Sequence, residues 1–204
     1  MVYWLLKFFS KPLIRLIWIR RVQGIENIPR SGRVIFAANH NSHFDFMVLV
    51  TLIPRRIFFL AAEMFFQNRW WRPLVKLTGQ IRVDRASSDK SETLLKVREL
   101  LERDRALCIF PEGTRSATGE IQKAYNGAVK IAYMTDTPII PVGITGTFNI
   151  LSRFMKIPRF SKECVVVFGK PINVRQHMVD MGINELTLVT NKVLMAEIRR
   201  LSNE

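Results

Sequence analysis

An α/β fold is predicted for this 204-residue chain: a mixed, mostly parallel sheet flanked by helices and preceded by an amphipathic helical element. Three features predict it. Short apolar runs of strand length recur along the chain, several of them ending in a polar turn. Segments with helical spacing of apolar residues alternate with those runs, which is the pattern of a sheet with helices on its faces. The first 21 residues differ from both, being aromatic and basic together. The expected organisation is an N-terminal interfacial helix or helix pair over residues 1–21 and one α/β domain over residues 22–204.

The opening stretch, MVYWLLKFFSKPLIRLIWIRR, is interrupted by Lys7, Lys11 and Arg15, so it does not read as a spanning helix, which needs about 20 mostly apolar residues. It also lacks a continuous signal-peptide core followed by a small-residue cleavage site. The three cations are spaced i, i+4, i+8 and form one stripe on a helix, with Trp4, Phe8, Phe9, Leu13 and Leu16 covering much of the rest. Ser10 can cap a new helix with Pro12 in its first turn, so one kinked helix or two short ones are expected. Apolar bulk with a basic stripe suits a helix lying in a membrane interface.

Next comes RVIFAAN, a buried strand, then the turn HNSHFD and a helix in FDFMVLVTL. RIFFLAA is a second buried strand, and GQIRVDR is a short one ending at Arg85. SDKSETLLKVRELLERD is an amphipathic helix with Leu94, Val97 and Leu101 on one side. ALCIF is a strand that leads into the polar loop PEGTRSATGE. A helix in YNGAVKIAYM, strands in PIIPVGI and ECVVVFG, and a closing helix in INELTLVTNKVLMAEIRRL complete the chain. Functional loops are expected where strands end.

Lys and Arg total 31 against 17 Asp and Glu, a net charge of +14, while 48% of residues are hydrophobic. Such a chain suits an anionic partner. Basic segments this rich in aromatic residues fit an anionic lipid surface better than nucleic acid, and no nucleic-acid partner is expected. Cys108 and Cys164 lie in apolar runs with neither C-x-x-C nor zinc spacing, so they are expected as buried free thiols in a reducing compartment. No metal site is expected.

Two polar clusters carry the chemistry. In FAANHNSHFDF, His40 and Asp45 are five residues apart. A regular helix sets such residues about 140° apart, and a strand points them to opposite faces. A tight turn between strand and helix can join them, and Asn41, Ser42 and His43 suit that turn. A histidine whose Nδ1 is held by a carboxylate presents Nε2 as a base. No G-x-S-x-G elbow is present, so a substrate hydroxyl is the more economical nucleophile. His43 can bond within the turn, and His177 reads as a surface residue. The second cluster is FPEGTRS, Phe110 to Ser116. Gly113 permits an unusual turn, and Thr114, Arg115 and Ser116 offer donors in close order, a good setting for a phosphate. Arg85 and Lys123 can add positive charge. Neither a Walker A loop nor G-x-G-x-x-G occurs.

Together these blocks resemble the glycerolipid acyltransferase family, typified by lysophosphatidic acid acyltransferases. The family's N-H-x-x-x-x-D matches Asn39, His40 and Asp45. Its glycine six residues before an arginine matches Gly79 and Arg85. F-P-E-G-T-R-S matches residues 110–116 without change, and the final apolar run matches PIIPVGI with Pro141. The resemblance implies a glycerol-3-phosphate acyltransferase-like fold, with His40 as general base and Asp45 as its orienting partner. It implies that Arg85, Glu112, Gly113, Thr114 and Arg115 bind the acceptor's phosphate, with Lys123 a further candidate. The implied reaction moves a fatty acyl group from an acyl-CoA or acyl carrier protein thioester to the sn-2 hydroxyl of 1-acyl-glycerol-3-phosphate, giving phosphatidic acid, with no cofactor. Another lyso-lipid acceptor, or a lipid hydrolase or transacylase with the same pair, is the alternative. A non-enzymatic binding module explained by charge alone is a third. The expected setting is the cytoplasmic face of the cell membrane, held peripherally or monotopically. Two departures from the family stand out: only 38 residues precede Asn39, and Lys123 and Gly127 are separated by AYN where the family commonly has K-x-G.

Overall fold

The computed structural model describes residues 2–67, 69, 71–83, 91–182 and 185–204. Val34–Ala38 is buried at all five positions and forms β2, the middle strand of a seven-stranded sheet among these residues. In order across the sheet the strands are β1 (Ile19–Gln23), β7 (Cys164–Phe168), β6 (Ile139–Thr145), β2, β5 (Ala106–Ile109), β3 (Ile57–Ala62) and β4 (Ile81–Val83). The five from β6 to β4 run parallel. β7 is antiparallel to β6, and β1 is parallel to β7, so that edge runs the other way. This is the mixed, mostly parallel sheet expected from the sequence.

Successive side chains of a strand face opposite sides, and both sides here are covered. Val34, Phe36 and Ala38 pack with Ile14 of α1 (Val2–Ile17), with Val48 and Leu49 of α2 (Phe44–Leu52), and with Ile150 of α7 (Thr147–Leu151). Ile35 and Ala37 pack on the other side with Val97 of α5 (Ser91–Glu102), Val129 of α6 (Gly127–Thr135) and Val174 of α8 (Val174–Asp180). α9 (Leu186–Val189), a π-helical turn over Thr190–Leu194 and α10 (Met195–Ser202) follow one another without a break and complete that layer as the closing helix expected, with a π-turn inside it. Cover on both faces is why these strands read as unbroken apolar runs. Between β3 and β4 lie α3 (Glu63–Gln67) and α4 (Trp71–Thr78). Cys108 and Cys164 are buried and not joined, and burial raises both thiols.

α1 is one helix with Pro12 inside it, the first of the two arrangements expected, and Ser10 opens no second one. The N-terminal segment departs from expectation in two other respects. The sheet begins at Ile19, inside the stretch expected to be helical. β1 escaped notice because Arg20 and Arg21 are exposed on this edge strand and interrupt its apolar pattern. The basic stripe also divides. Steps of four residues drift about 40° around a helix, which turns Lys7 inward beside Tyr3 and Ile14 and leaves Lys11 and Arg15 outside. Lys7 Nζ donates to the Ile53 carbonyl, and burial, with Lys11 nearby, lowers its pKa to about 8. Trp4, Phe8, Phe9, Leu13 and Leu16 remain exposed on the outer face. No helix among the described residues is long and apolar enough to cross a membrane.

Gly143 of β6 marks where α10 lies against the sheet. A Cβ there meets the Leu201 carbonyl carbon and the Ser202 nitrogen at 2.4 Å, and backbone cannot move aside as a flexible side chain can. Gly143→Val is expected to destabilise the fold by about 3 kcal/mol or more, lowering Tm by roughly 6–12 °C in a chain of this size. A thermal melt followed by circular dichroism checks this; an unchanged Tm contradicts the packing described.

Candidate active site

β2 and β5 are parallel neighbours, with Ala37 beside Ile109. Their C-terminal ends therefore deliver residues 39–45 and 110–116, the two polar clusters, to the same end of the sheet. Asn39 makes the first connection. Its side-chain nitrogen donates to the Ile144 carbonyl and its oxygen accepts the Ile144 N–H, each at 2.8 Å. Pro141 lies buried in β6 opposite Ala37 and helps form that neighbouring strand.

The turn then folds back on Asp45. Oδ2 of this fully buried residue receives three donors at 2.8 Å: His40 Nδ1, the Asn41 N–H and the Ser42 N–H. Asp45 also stands in the first turn of α2, where the helix's unpaired amides favour a negative charge. Oδ1 is buried and finds no hydrogen-bond partner among the described residues. Ser42 Oγ accepts the Phe44 N–H at 2.8 Å and donates to the Leu151 carbonyl, which anchors the turn to α7. With Nδ1 donating to the carboxylate, Nε2 is left as the basic nitrogen of His40. The imidazole stacks on Phe110, centroids 3.9 Å apart and planes 13° apart, and the side chain keeps 16% of its exposure. Phe59 stacks behind Phe110 at 6.2 Å, and Phe46 meets Phe59 edge-on at 6.3 Å.

Glu112 fastens the two loops together. One carboxylate oxygen accepts the His40 N–H and the other accepts the Gln122 N–H, both at 2.7 Å. The Ser116 N–H returns to the His40 carbonyl at 2.8 Å. Burial raises the Glu112 pKa, opposed by those two amides and by His40. Both its oxygens are occupied by backbone, so the phosphate contact expected for Glu112 has a competing structural use. Gly113 adopts φ +70°, and a Cβ there meets the exposed Tyr125 ring at 3.3 Å. Thr114 and Lys123 are exposed, and Arg115 is half-buried. Arg85 lies outside the described residues. Gly79, its partner in that block, has φ +72° beside the Arg56 guanidinium.

His43 is held close to this machinery. Its pKa falls to about 4, chiefly through burial, then through the Arg115 and His40 charges, with Asp45 opposing. Unfolded, the same group titrates near 6.5. Between these values the unfolded chain binds more protons, so stability rises with pH there and is lost as pH falls from about 6.5 toward 4. Glu112 acts with the opposite sign, so the informative quantity is a difference between proteins. His43→Asn is expected to flatten the acid-side fall relative to the parent in urea melts across that window. Parallel curves contradict a neutral, half-buried His43.

Sequence reasoning placed His40, Asp45 and the FPEGTRS loop together. It missed the clip made by Asn39, the stack on Phe110 and the Gln122 amide. The one signal for them is position: each sits at a strand end or in the loop that follows.

Comparison with known proteins gives a consistent result. Residues 19–145 match the family described as Acyltransferase. The chain is 29% identical over 161 residues to a probable 1-acyl-sn-glycerol-3-phosphate acyltransferase of Mycoplasma pneumoniae, covering 72% of this chain and 59% of that protein. It is 26% identical over 185 residues to the 1-acyl-sn-glycerol-3-phosphate acyltransferase of Bacillus subtilis, covering 90% of this chain and 88% of that one. The crystal structure of the 1-acyl-sn-glycerophosphate (LPA) acyltransferase PlsC from Thermotoga maritima superposes with a TM-score of 0.77 at 21% identity, over 100% of this chain and 80% of that one. That likeness establishes the fold.

Proposed function

This chain belongs to the Acyltransferase family, and we propose that it moves a fatty acyl group from a thioester to the sn-2 hydroxyl of 1-acyl-glycerol-3-phosphate, giving phosphatidic acid for phospholipid synthesis. The observation that carries the reading is the 2.8 Å contact between His40 Nδ1 and Asp45, made in a turn that Glu112 ties to the FPEGTRS loop. The donor is an acyl thioester of coenzyme A or of an acyl carrier protein.

The acceptor hydroxyl gives its proton to His40 Nε2 as its oxygen attacks the thioester carbonyl. The C–S bond then breaks, the proton passes from His40 to the departing sulfur, and an ester and a free thiol result. Asp45 holds the ring and offsets the charge of the imidazolium. Arg115, Thr114, Gly113 and Lys123, with Arg85, bind the acceptor's phosphate from the loop side; Arg suits the task because its fork matches phosphate oxygens. Glu112 serves that site by holding its two loops in register. Phe46, Phe59 and Phe110 provide apolar wall for the acyl chain. The outer face of α1 lies in an anionic membrane surface at the cytoplasmic side, Lys11 and Arg15 meeting headgroups while Phe8, Phe9 and Leu16 reach the acyl boundary.

The test is a transfer assay on a panel of lyso-acceptors with both donor types, read by mass spectrometry. Acyl transfer to the lysophosphatidate acceptor is expected. Release of free fatty acid without dependence on an acceptor contradicts transfer and points to hydrolysis.

A further inference from the structure

The loop over residues 152–163, between α7 and β7, exposes three large apolar side chains within seven residues. Phe154 is 73% exposed, Ile157 75% and Phe160 81%. Arg153, Lys156, Arg159 and Lys162 stand between and beside them, all exposed. Exposed apolar groups this close together have an unfavourable free energy in water unless something covers them.

The loop is built rather than loose. The Met155 N–H donates to the Ser152 carbonyl at 3.1 Å and the Arg159 N–H to the Ile150 carbonyl at 2.8 Å. Trp18, directly after α1, donates its indole N–H to the Arg159 carbonyl at 2.6 Å and stacks on Phe160 at 5.8 Å. The loop leaves the sheet after Thr145 ends β6 and returns at Cys164, where β7 starts. It therefore occupies the end of the sheet that carries His40 and the FPEGTRS loop, and Ser42 bonds to Leu151 just before it.

We propose that residues 152–162 form a second bilayer contact beside α1, with Phe154, Ile157 and Phe160 entering the lipid boundary and the four cations meeting anionic headgroups. This rests on the membrane-surface reading of α1 given above. Two observations favour lipid. Cations recur at every third position among the protruding apolar side chains, which suits the headgroup level of an anionic bilayer. The loop also continues the chemistry of the outer face of α1, and is tied to the C-terminal end of that helix through the buried Trp18. Two contacts fix the tilt of the domain, so that its catalytic end addresses the surface from which a lipid acceptor is drawn.

The experiment is co-sedimentation with vesicles of phosphatidylcholine and phosphatidylglycerol, using the full chain carrying His40→Ala, so that binding is read independently of catalysis. Phe154→Ser with Ile157→Ser is expected to weaken binding at least about tenfold, given the transfer free energy of two large apolar side chains. Arg153→Gln with Lys156→Gln should weaken it about fivefold per cation, and only when phosphatidylglycerol is present. Ile157→Trp should be quenched by brominated phospholipid beyond the parent protein. Phe8→Ser with Phe9→Ser reports on α1 separately, so failure of that contact is distinguishable from failure of the loop. Unchanged vesicle affinity in the Phe154/Ile157 variant, or no added quenching at position 157, overturns the proposal. So does intact vesicle binding together with lost binding of an acidic acyl carrier protein to the same variant, which assigns the loop to a protein partner.

Discussion

His40→Ala is expected to lower the acyl-transfer rate by roughly a thousandfold, in the range that a positioned general base supplies, while Tm moves by only a few degrees. The separation follows from which atoms do which task. The His40 N–H bonds to Glu112 and its carbonyl accepts from Ser116. Alanine makes both main-chain bonds. Asp45 Oδ2 keeps the Asn41 and Ser42 amides after the imidazole is gone. What is lost is the Nε2 base and the stack on Phe110. Asp45→Ala gives the contrasting result. It removes the ring's partner and strands two buried amides as well, at about 1–3 kcal/mol each, so rate and Tm fall together. Single-turnover rates and melts on the two variants decide the matter. A His40→Ala protein that keeps a tenth or more of the parent rate removes the general base from the mechanism.

Glu112→Ala carries the second large effect, and it separates two uses of one carboxylate. Its oxygens accept the N–H groups of His40 and Gln122 at 2.7 Å in a residue 2% exposed. Removing it leaves both donors without this acceptor, a cost of about 2–6 kcal/mol at the usual figure per buried donor. The turn bearing His40 also loses its tie to the loop bearing Arg115. A fall in kcat of at least about tenfold is expected, since small misplacements of a catalytic group are costly, together with a clear fall in Tm. Glu112→Gln keeps an oxygen for one amide but turns an NH2 toward the other, so it should recover part of the stability and less of the rate. If Glu112 instead acts by touching the acceptor's headgroup, KM rises while Tm stays put, and the bracing role is wrong.

The strands β2, β5, β6 and β7 were legible in the sequence because each is covered on both faces and so reads as an unbroken apolar run. The turn at 40–45 was legible because no regular element can join that histidine to that aspartate. Strand order was not legible. Nothing in the residues of β2 says that β5 lies against it, and only that adjacency brings the two clusters together. β1 was hidden by Arg20 and Arg21, which an edge strand can expose. Lys7 was assigned to a basic face because spacing alone does not reveal which side of α1 meets the domain. The bonds of Asn39 and Glu112 escaped for a shared reason: their partners, Ile144 and Gln122, are main-chain atoms, and a main-chain partner leaves no mark in its own side chain.

The amide of Asn39 has the same pair of groups as a peptide unit, and it uses them on Ile144 as a neighbouring strand does. β2 in effect gains one more rung on the β6 side after its main chain has turned away toward His40. The His40 ring is thereby gauged from the ladder itself: any sliding of β6 along β2 must either break that rung or drag the imidazole with it. The place of that ring is keyed to the alignment of two strands, through one side-chain amide.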